Sequence, residues 1–277
     1  MGLTWLESII YALVSGFAEF LPVSSKAHQI IMLNLFGDSA NTVVLDFTIH
    51  IAVLTALYIN CYSTILRIQR QQKLLHIPKR RRKFQLDAEI VSQYQIAKTA
   101  AIPVVLSVIA VPYLLSLGKR LNILAIGLCV NGILLYATSR IAIGNKNAAS
   151  MTRLDGYLVG LSGALGAMPG ISRIGASHSV SVMRAADPQK ALSWCFILSI
   201  PALAALCCAD LYLMFTIGVG AFGFLALIQC LISALFAYLG ATLAIVLVRY
   251  MSVKIGFSWF SYYSWGLAFL SFLLFMI

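Results

Sequence analysis

Between Glu19 and His28 the chain sets a carboxylate, two hydroxyls, an ammonium and an imidazole within one short stretch, Glu19-Phe-Leu-Pro-Val-Ser-Ser-Lys-Ala-His28. A second stretch, Gly166-Ala-Met-Pro-Gly-Ile-Ser-Arg-Ile-Gly175, repeats its spacing. Counted from Pro22 and Pro169, Ser25 and Ser172 fall three residues on, Lys26 and Arg173 four on, and Gly16 and Gly163 six back. Ser24, Ser25, Ser172, Lys26 and Arg173, with close backbone approach permitted at Gly170 and Gly175, are what a phosphate or diphosphate needs for binding. Glu19 can ligate a divalent cation or act as general base, and His28 can take or give a proton. Hydrolysis of a diphosphate needs both kinds of group, to neutralise the leaving phosphate and to activate water or a hydroxyl such as Ser25.

The elements that hold these stretches belong to a membrane. The chain has 277 residues, 61% hydrophobic and 10% charged, and its mean hydropathy of +0.91 excludes a soluble domain with a solvated surface. No short apolar stretch with a small-residue cleavage site opens it, so no removable signal is expected. A helix over about 3–21 breaks at Pro22, and a short return over about 26–36 is capped by Ser24 or Ser25, which predicts a re-entrant hairpin. A helix over 154–168 breaks at Pro169-Gly170 and returns over 172–183. Full spans are expected at 42–62, 96–117, 121–142, 191–215, 220–249 and 259–277, with a tight connection at Gly118.

The order of elements is the same in both halves. It predicts an all-α polytopic membrane protein, a single domain over 1–277 with repeat one over 1–142 and repeat two over 154–277. Three crossings and one hairpin per repeat invert the second copy, so the two hairpin tips meet near the midplane. Broken helices of this kind present free N–H groups and positive dipole ends to anions. The net charge of +11 concentrates at Lys79-Arg-Arg-Arg-Lys83, in the longest polar connection, which reads as a positive-inside signal for a basic cytoplasmic loop over 63–95 rather than a nucleic-acid site. The same assignment makes 140–153, 184–190 and 249–254 cytoplasmic, with Lys119 and Arg120 on the wrong side.

Other polar residues carry weaker signals. The six cysteines lack metal-ligand spacing and read as small free core residues, Cys207-Cys208 among them. His50 and His178 read as hydrogen-bonded helix residues, and Glu7 as a carboxylate facing water at the membrane surface.

The two long motifs resemble those of the undecaprenyl-diphosphate phosphatases of the BacA type, E-F-L-P-V-S-S-x-x-H at Glu19–His28 and P-G-x-S-R-S-G-x-T at Pro169–Ser177. Ala191–Pro201 and Thr99–Pro103 are also similar to family segments, so the likeness extends over most of the chain. The resemblance implies a phosphatase of the bacterial cell membrane that converts a C55 polyprenyl diphosphate to its monophosphate, recycling the cell-wall lipid carrier and conferring bacitracin resistance. It implies a divalent cation, magnesium or calcium, with Glu19 assisting metal binding or catalysis. His28 would be the acid or base, Ser25 a phosphate contact or nucleophile, and Arg173 the clamp, with Ser24, Lys26, Gly170, Ser172, Gly175 and Ser177 lining the phosphate site. The expected partners are the lipid and the membrane, with a homodimer as an open arrangement.

Three positions depart from the family pattern. Ser15 stands where the family has glutamate or glutamine, and Ile174 where it has a second serine; Tyr263 is followed by Ser264 instead of arginine. An inverted repeat is also how alternating-access carriers are built, so a homologue that binds or translocates polyprenyl phosphate is the alternative.

Overall fold

The computed structural model describes residues 2–37, 41–81, 83–109, 120–142, 144–219, 223–254 and 256–276. These form α-helices without strands. Helix α1, Trp5–Phe20, starts at a capping box in which Thr4 and Glu7 bond each other's backbone, so Glu7 is a cap and not a free surface carboxylate. It stops before Pro22, and Ser24 opens α2, Ser25–Leu35, by accepting from the Ala27 amide. The second half repeats this. Thr152 and Asp155 form the capping box of α7, Arg153–Ala164, which runs into a 3₁₀ turn at Leu165–Ala167; Ser172 then caps α8, Arg173–Met183.

Between the hairpins lie α3, Val43–Asn60; α4, Tyr62–Leu75; α5, Ala88–Val108; and α6, Leu121–Ser139. After them come α9, Pro188–Ile217; α10, Phe224–Lys254; and α11, Ser258–Met276. Among the described residues five helices are long and apolar enough to cross a membrane: α3, α6, α9, α10 and α11. The sixth expected span, 96–117, begins as α5, eight residues early; its remainder and the connection at Gly118 and Lys119 lie outside the described residues. The segment expected as a polar connection over 63–95 is largely helical, because α4 continues α3 after the single residue Cys61.

Helix pairing exchanges under the repeat. Helix α1 packs on α10 as its counterpart α7 packs on α5; α3 on α10 matches α9 on α5; α1 on α2 matches α7 on α8. The pairs α3–α9 and α6–α11 join counterparts directly, as a two-fold relation requires. Small residues let these backbones close: a Cβ on Gly16 would collide with the Ala237 carbonyl, and one on Gly160 with that of Ala100. Outward faces carry Phe215, Phe224 and Phe269 exposed, a surface that lipid and not water covers. The protein is a multi-pass membrane protein.

The two ends of the bundle differ in charge. At one end Lys190 pairs with Glu89 at 3.0 Å, Arg184 with Asp155, and Arg249 reaches the Asn60 carbonyl at 3.4 Å. At the other, Asn41 bonds the Gly218 carbonyl at 2.9 Å and Gln229 the Leu3 carbonyl at 3.0 Å. The basic segments therefore gather at one end, whereas Arg120, at the start of α6, is at the opposite end of its helix from Arg140.

Candidate active site

The hairpin tips touch. The Ser172 hydroxyl donates to the Leu21 carbonyl at 3.1 Å and accepts from the Gly175 amide at 3.1 Å, so one side chain caps α8 and ties it to the first tip. Asn131, fully buried in α6, bridges both: its Nδ2 donates to the Pro22 carbonyl and the Ser264 hydroxyl, each at 3.0 Å, and its Oδ1 accepts from the Ser172 amide at 3.0 Å. Asn131→Leu is expected to leave the Ser172 amide and Pro22 carbonyl unpaired, costing about 1–3 kcal/mol. Thermal unfolding in detergent and phosphate release should both register it.

At this junction Glu19 holds two partners. Its Oε1 accepts from Arg173 Nη1 at 3.1 Å and its Oε2 from the Ser25 hydroxyl. The pair is mostly buried, the side chains 13% and 10% exposed for Arg173 and Glu19. A lone charge at the bilayer centre costs about 2.5–3.5 kcal/mol on insertion scales, so this pairing is also what makes each residue tolerable there. Four residues of the expected set thus converge, Glu19 from the C-terminal end of α1 and Ser25, Ser172 and Arg173 from the starts of α2 and α8.

His28 faces elsewhere. Its Nδ1 lies 2.8 Å from the Ser24 carbonyl, which can only accept, so Nδ1 carries the proton in the neutral ring. Nε2 then accepts from the Tyr263 hydroxyl at 2.7 Å. The hydrogen-bond acceptor of the Ser25 hydroxyl is Glu19, not His28. Tyr263→Phe is expected to free His28 and lower turnover by about fivefold, the worth of one neutral hydrogen bond, as read by steady-state phosphate release.

The remaining expected residues divide. Ser24 caps α2 with a backbone φ of 63°, a strained left-handed conformation for a residue with a Cβ. Lys26 donates to Gln29 at 3.0 Å, and Gln29 to the buried Ser15 hydroxyl at 3.3 Å. Gly170 and Gly175 serve packing: at Gly170, φ 92°, a Cβ would meet the α6 backbone at Leu128, and at Gly175 it would press on Pro22. Among the described residues the buried Ser177 hydroxyl has no partner, and it faces Gly163. Ile174 is packed in the core, 1% exposed. Of the histidines, His178 meets the Pro188 carbonyl at 3.2 Å, as expected, while His50 pairs with Asp210. The cysteines are free, but Cys129 and Cys208 are exposed and not core residues.

Asn131 was not singled out from sequence, its only signal being an amide within an apolar run, and Tyr263 was noted only for the missing arginine after it. A divalent cation finds one carboxylate at the junction, and the described residues hold no cluster of three or more His, Cys, Asp or Glu. That donor set, Glu19 with Ser25, fits a magnesium-type ion that takes most of its ligands from substrate phosphate and water.

The family model described as bacitracin resistance protein BacA matches residues 8–270. The chain belongs to the BacA family. It is similar to the undecaprenyl-diphosphatase of Treponema denticola, 32% identical over 72% of each chain. It is 27% identical to that of Carboxydothermus hydrogenoformans over 94% of this chain and 93% of the relative. With that of Thermodesulfovibrio yellowstonii it shares 29% over 97% and 96% respectively.

Proposed function

We propose that this BacA-family protein is an undecaprenyl-diphosphatase of the bacterial cell membrane, cleaving the terminal phosphate from a polyprenyl diphosphate. The observation that carries the reading is Glu19 bridged between the Ser25 hydroxyl and the Arg173 guanidinium where two helix N-termini meet. The first-turn amides of α2 and α8 and the free donors of Arg173 take the diphosphate oxygens. Glu19 accepts the proton of Ser25, or of a water in its place, as the attacking oxygen approaches the terminal phosphorus. Arg173 stays on the phosphate as charge moves to the leaving monophosphate. Glu19 and Ser25 would hold a magnesium or calcium ion, which supplies further charge neutralisation when bound. His28, held by Ser24 and Tyr263, is placed to manage protons at the rim.

The end that gathers the basic segments is assigned to the cytoplasm, and the first hairpin opens outward. A homodimer is kept as an assembly to test by mass in detergent. The carrier alternative draws no support from the relatives' names, all of which describe a diphosphatase. The deciding experiment is phosphate release from a C55 or shorter polyprenyl diphosphate by the purified protein, with magnesium, calcium or chelator. Release that chelator stops and metal restores is expected. Tight lipid binding with no release in any metal would replace the enzyme with a binder or carrier.

A further inference from the structure

A second set of ionisable groups lies inside the bundle, outside the junction. On α3, Asp46 accepts from the Tyr11 hydroxyl at 2.8 Å through Oδ1 and from the Thr42 hydroxyl at 2.9 Å through Oδ2. One turn further, His50 Nδ1 pairs with Asp210 Oδ2 of α9 at 2.5 Å. Asp46 and His50 are four apart on one helix and so share a face. The charges of Asp210, Glu19 and Asp46 all act on His50. Its Nε2 has no hydrogen-bond partner among the described residues, and the His50 and Asp210 side chains are each 11% exposed.

Depth orders these groups. The starts of α1, α3 and α10 and the end of α9 meet at the bundle end that lacks the basic segments. Measured from there at about 1.5 Å per residue, Asp46 lies about 5 Å in, Tyr11, His50 and Asp210 about 10 Å, and Glu19 about 21 Å. In depth they lie between Glu19 and that surface. Ionisable residues in membrane spans are functional by default, because burying them is costly.

The reaction gives the line a task. Attack of water on the terminal phosphorus forms one P–O bond and breaks the bridging one. A diphosphate bearing three negative charges becomes a monoester and a hydrogenphosphate bearing two each, and one proton is left over. That proton is released at a site deep in the membrane and has to leave before the next turnover.

We propose that His50, Asp210, Asp46 and Tyr11 form a proton-exit relay from the hairpin junction to the bundle end opposite the basic segments. Water of the site hands the released proton to His50 Nε2. The Nδ1 proton of His50 passes to Asp210, and Asp46 with Tyr11 carries the last step toward the surface. Asp210 and Asp46 act here through His50 without touching substrate. The inference rests on the diphosphatase reading. The titratable groups facing His50 and Asp210 are Tyr11 and Glu19 from α1, Asp46 from α3 and Cys207 from α9.

The test uses the full-length protein with His50→Gln, Asp210→Asn and the double variant His50→Leu/Asp210→Leu, assayed for phosphate release across pH in H2O and D2O. The double variant replaces a buried pair by apolar groups and is expected to keep the fold. All folded variants should lose at least roughly tenfold in kcat with KM nearly unchanged, lose one ionisation from the pH profile and show a larger solvent isotope effect. Wild-type kcat and pH profile in the double variant would overturn the relay and leave His50–Asp210 as a structural pair, with the diphosphatase intact. No phosphate release by the wild type would overturn both.

Discussion

Glu19→Gln is expected to stop phosphate release almost completely while the diphosphate still binds. The substitution keeps the side-chain shape and removes the charge. Ser25 then loses the carboxylate that accepts its hydroxyl, and Arg173 loses its counter-ion. Removing a general base costs roughly 10²–10⁴ in rate, and losing the residue that would also hold the cation places the effect at the upper end. The ground state moves the other way. With Glu19 neutral, the junction keeps Arg173 and the helix N-termini without their internal anion, so a lipid diphosphate should bind as tightly as before or more tightly. The freed guanidinium destabilises the empty protein by up to about 3 kcal/mol, because one partner of a mostly buried pair has gone. Turnover and lipid binding measured side by side check the split; turnover within a few-fold of wild type would remove Glu19 from the chemistry.

How much of this was legible beforehand depends on how local each signal is. Pro22 and Pro169 mark the two breaks, and Ser24 and Ser172 cap the returning helices, because stop and cap signals act within a turn. The meeting of the tips that carry Glu19 and Arg173 followed from the repeat, since two tips at equivalent positions meet across a two-fold axis. The 63–95 segment was misread because charge was taken for irregularity. Arg, Lys and Gln are good helix formers, and Ile65 and Ile68 give α4 a buried stripe. Asn131 could not be found this way: its partners, Pro22, Ser172 and Ser264, come from three distant places in the chain. His50 is the hydrogen-bonded helix histidine expected, but its partner was hidden for the same reason, since Asp210 meets it only when α3 and α9 pack together. Gly170 was legible as a special backbone position, but not which backbone comes close to it, the α6 backbone at Leu128.

The second large effect separates charge from shape. Arg173→Ala should lower kcat/KM by roughly 10³, the scale for loss of a preorganised group that stabilises charge in the transition state. In the resting protein Arg173 spends one of its five donors on Glu19, at 3.1 Å, which leaves the others for diphosphate oxygens. Truncation therefore does two things at once: it removes the phosphate donors and exposes the substrate to an unbalanced Glu19 carboxylate. KM should rise as kcat falls, the opposite of the Glu19→Gln pattern. Arg173→Lys restores the positive charge but not the planar fork, and an ammonium cannot engage Glu19 and two phosphate oxygens in the same geometry. It should recover part of the binding and little of kcat. If lysine restored turnover fully, Arg173 would be acting as a point charge and the clamp would be wrong. The double variant Glu19→Gln/Arg173→Ala adds the remaining constraint. Because the two side chains bond each other and serve one reacting phosphate, their losses in kcat/KM should fall well short of adding. Full additivity would mean that each acts on a separate step, and the shared junction seen between the two hairpins would not be the catalytic unit.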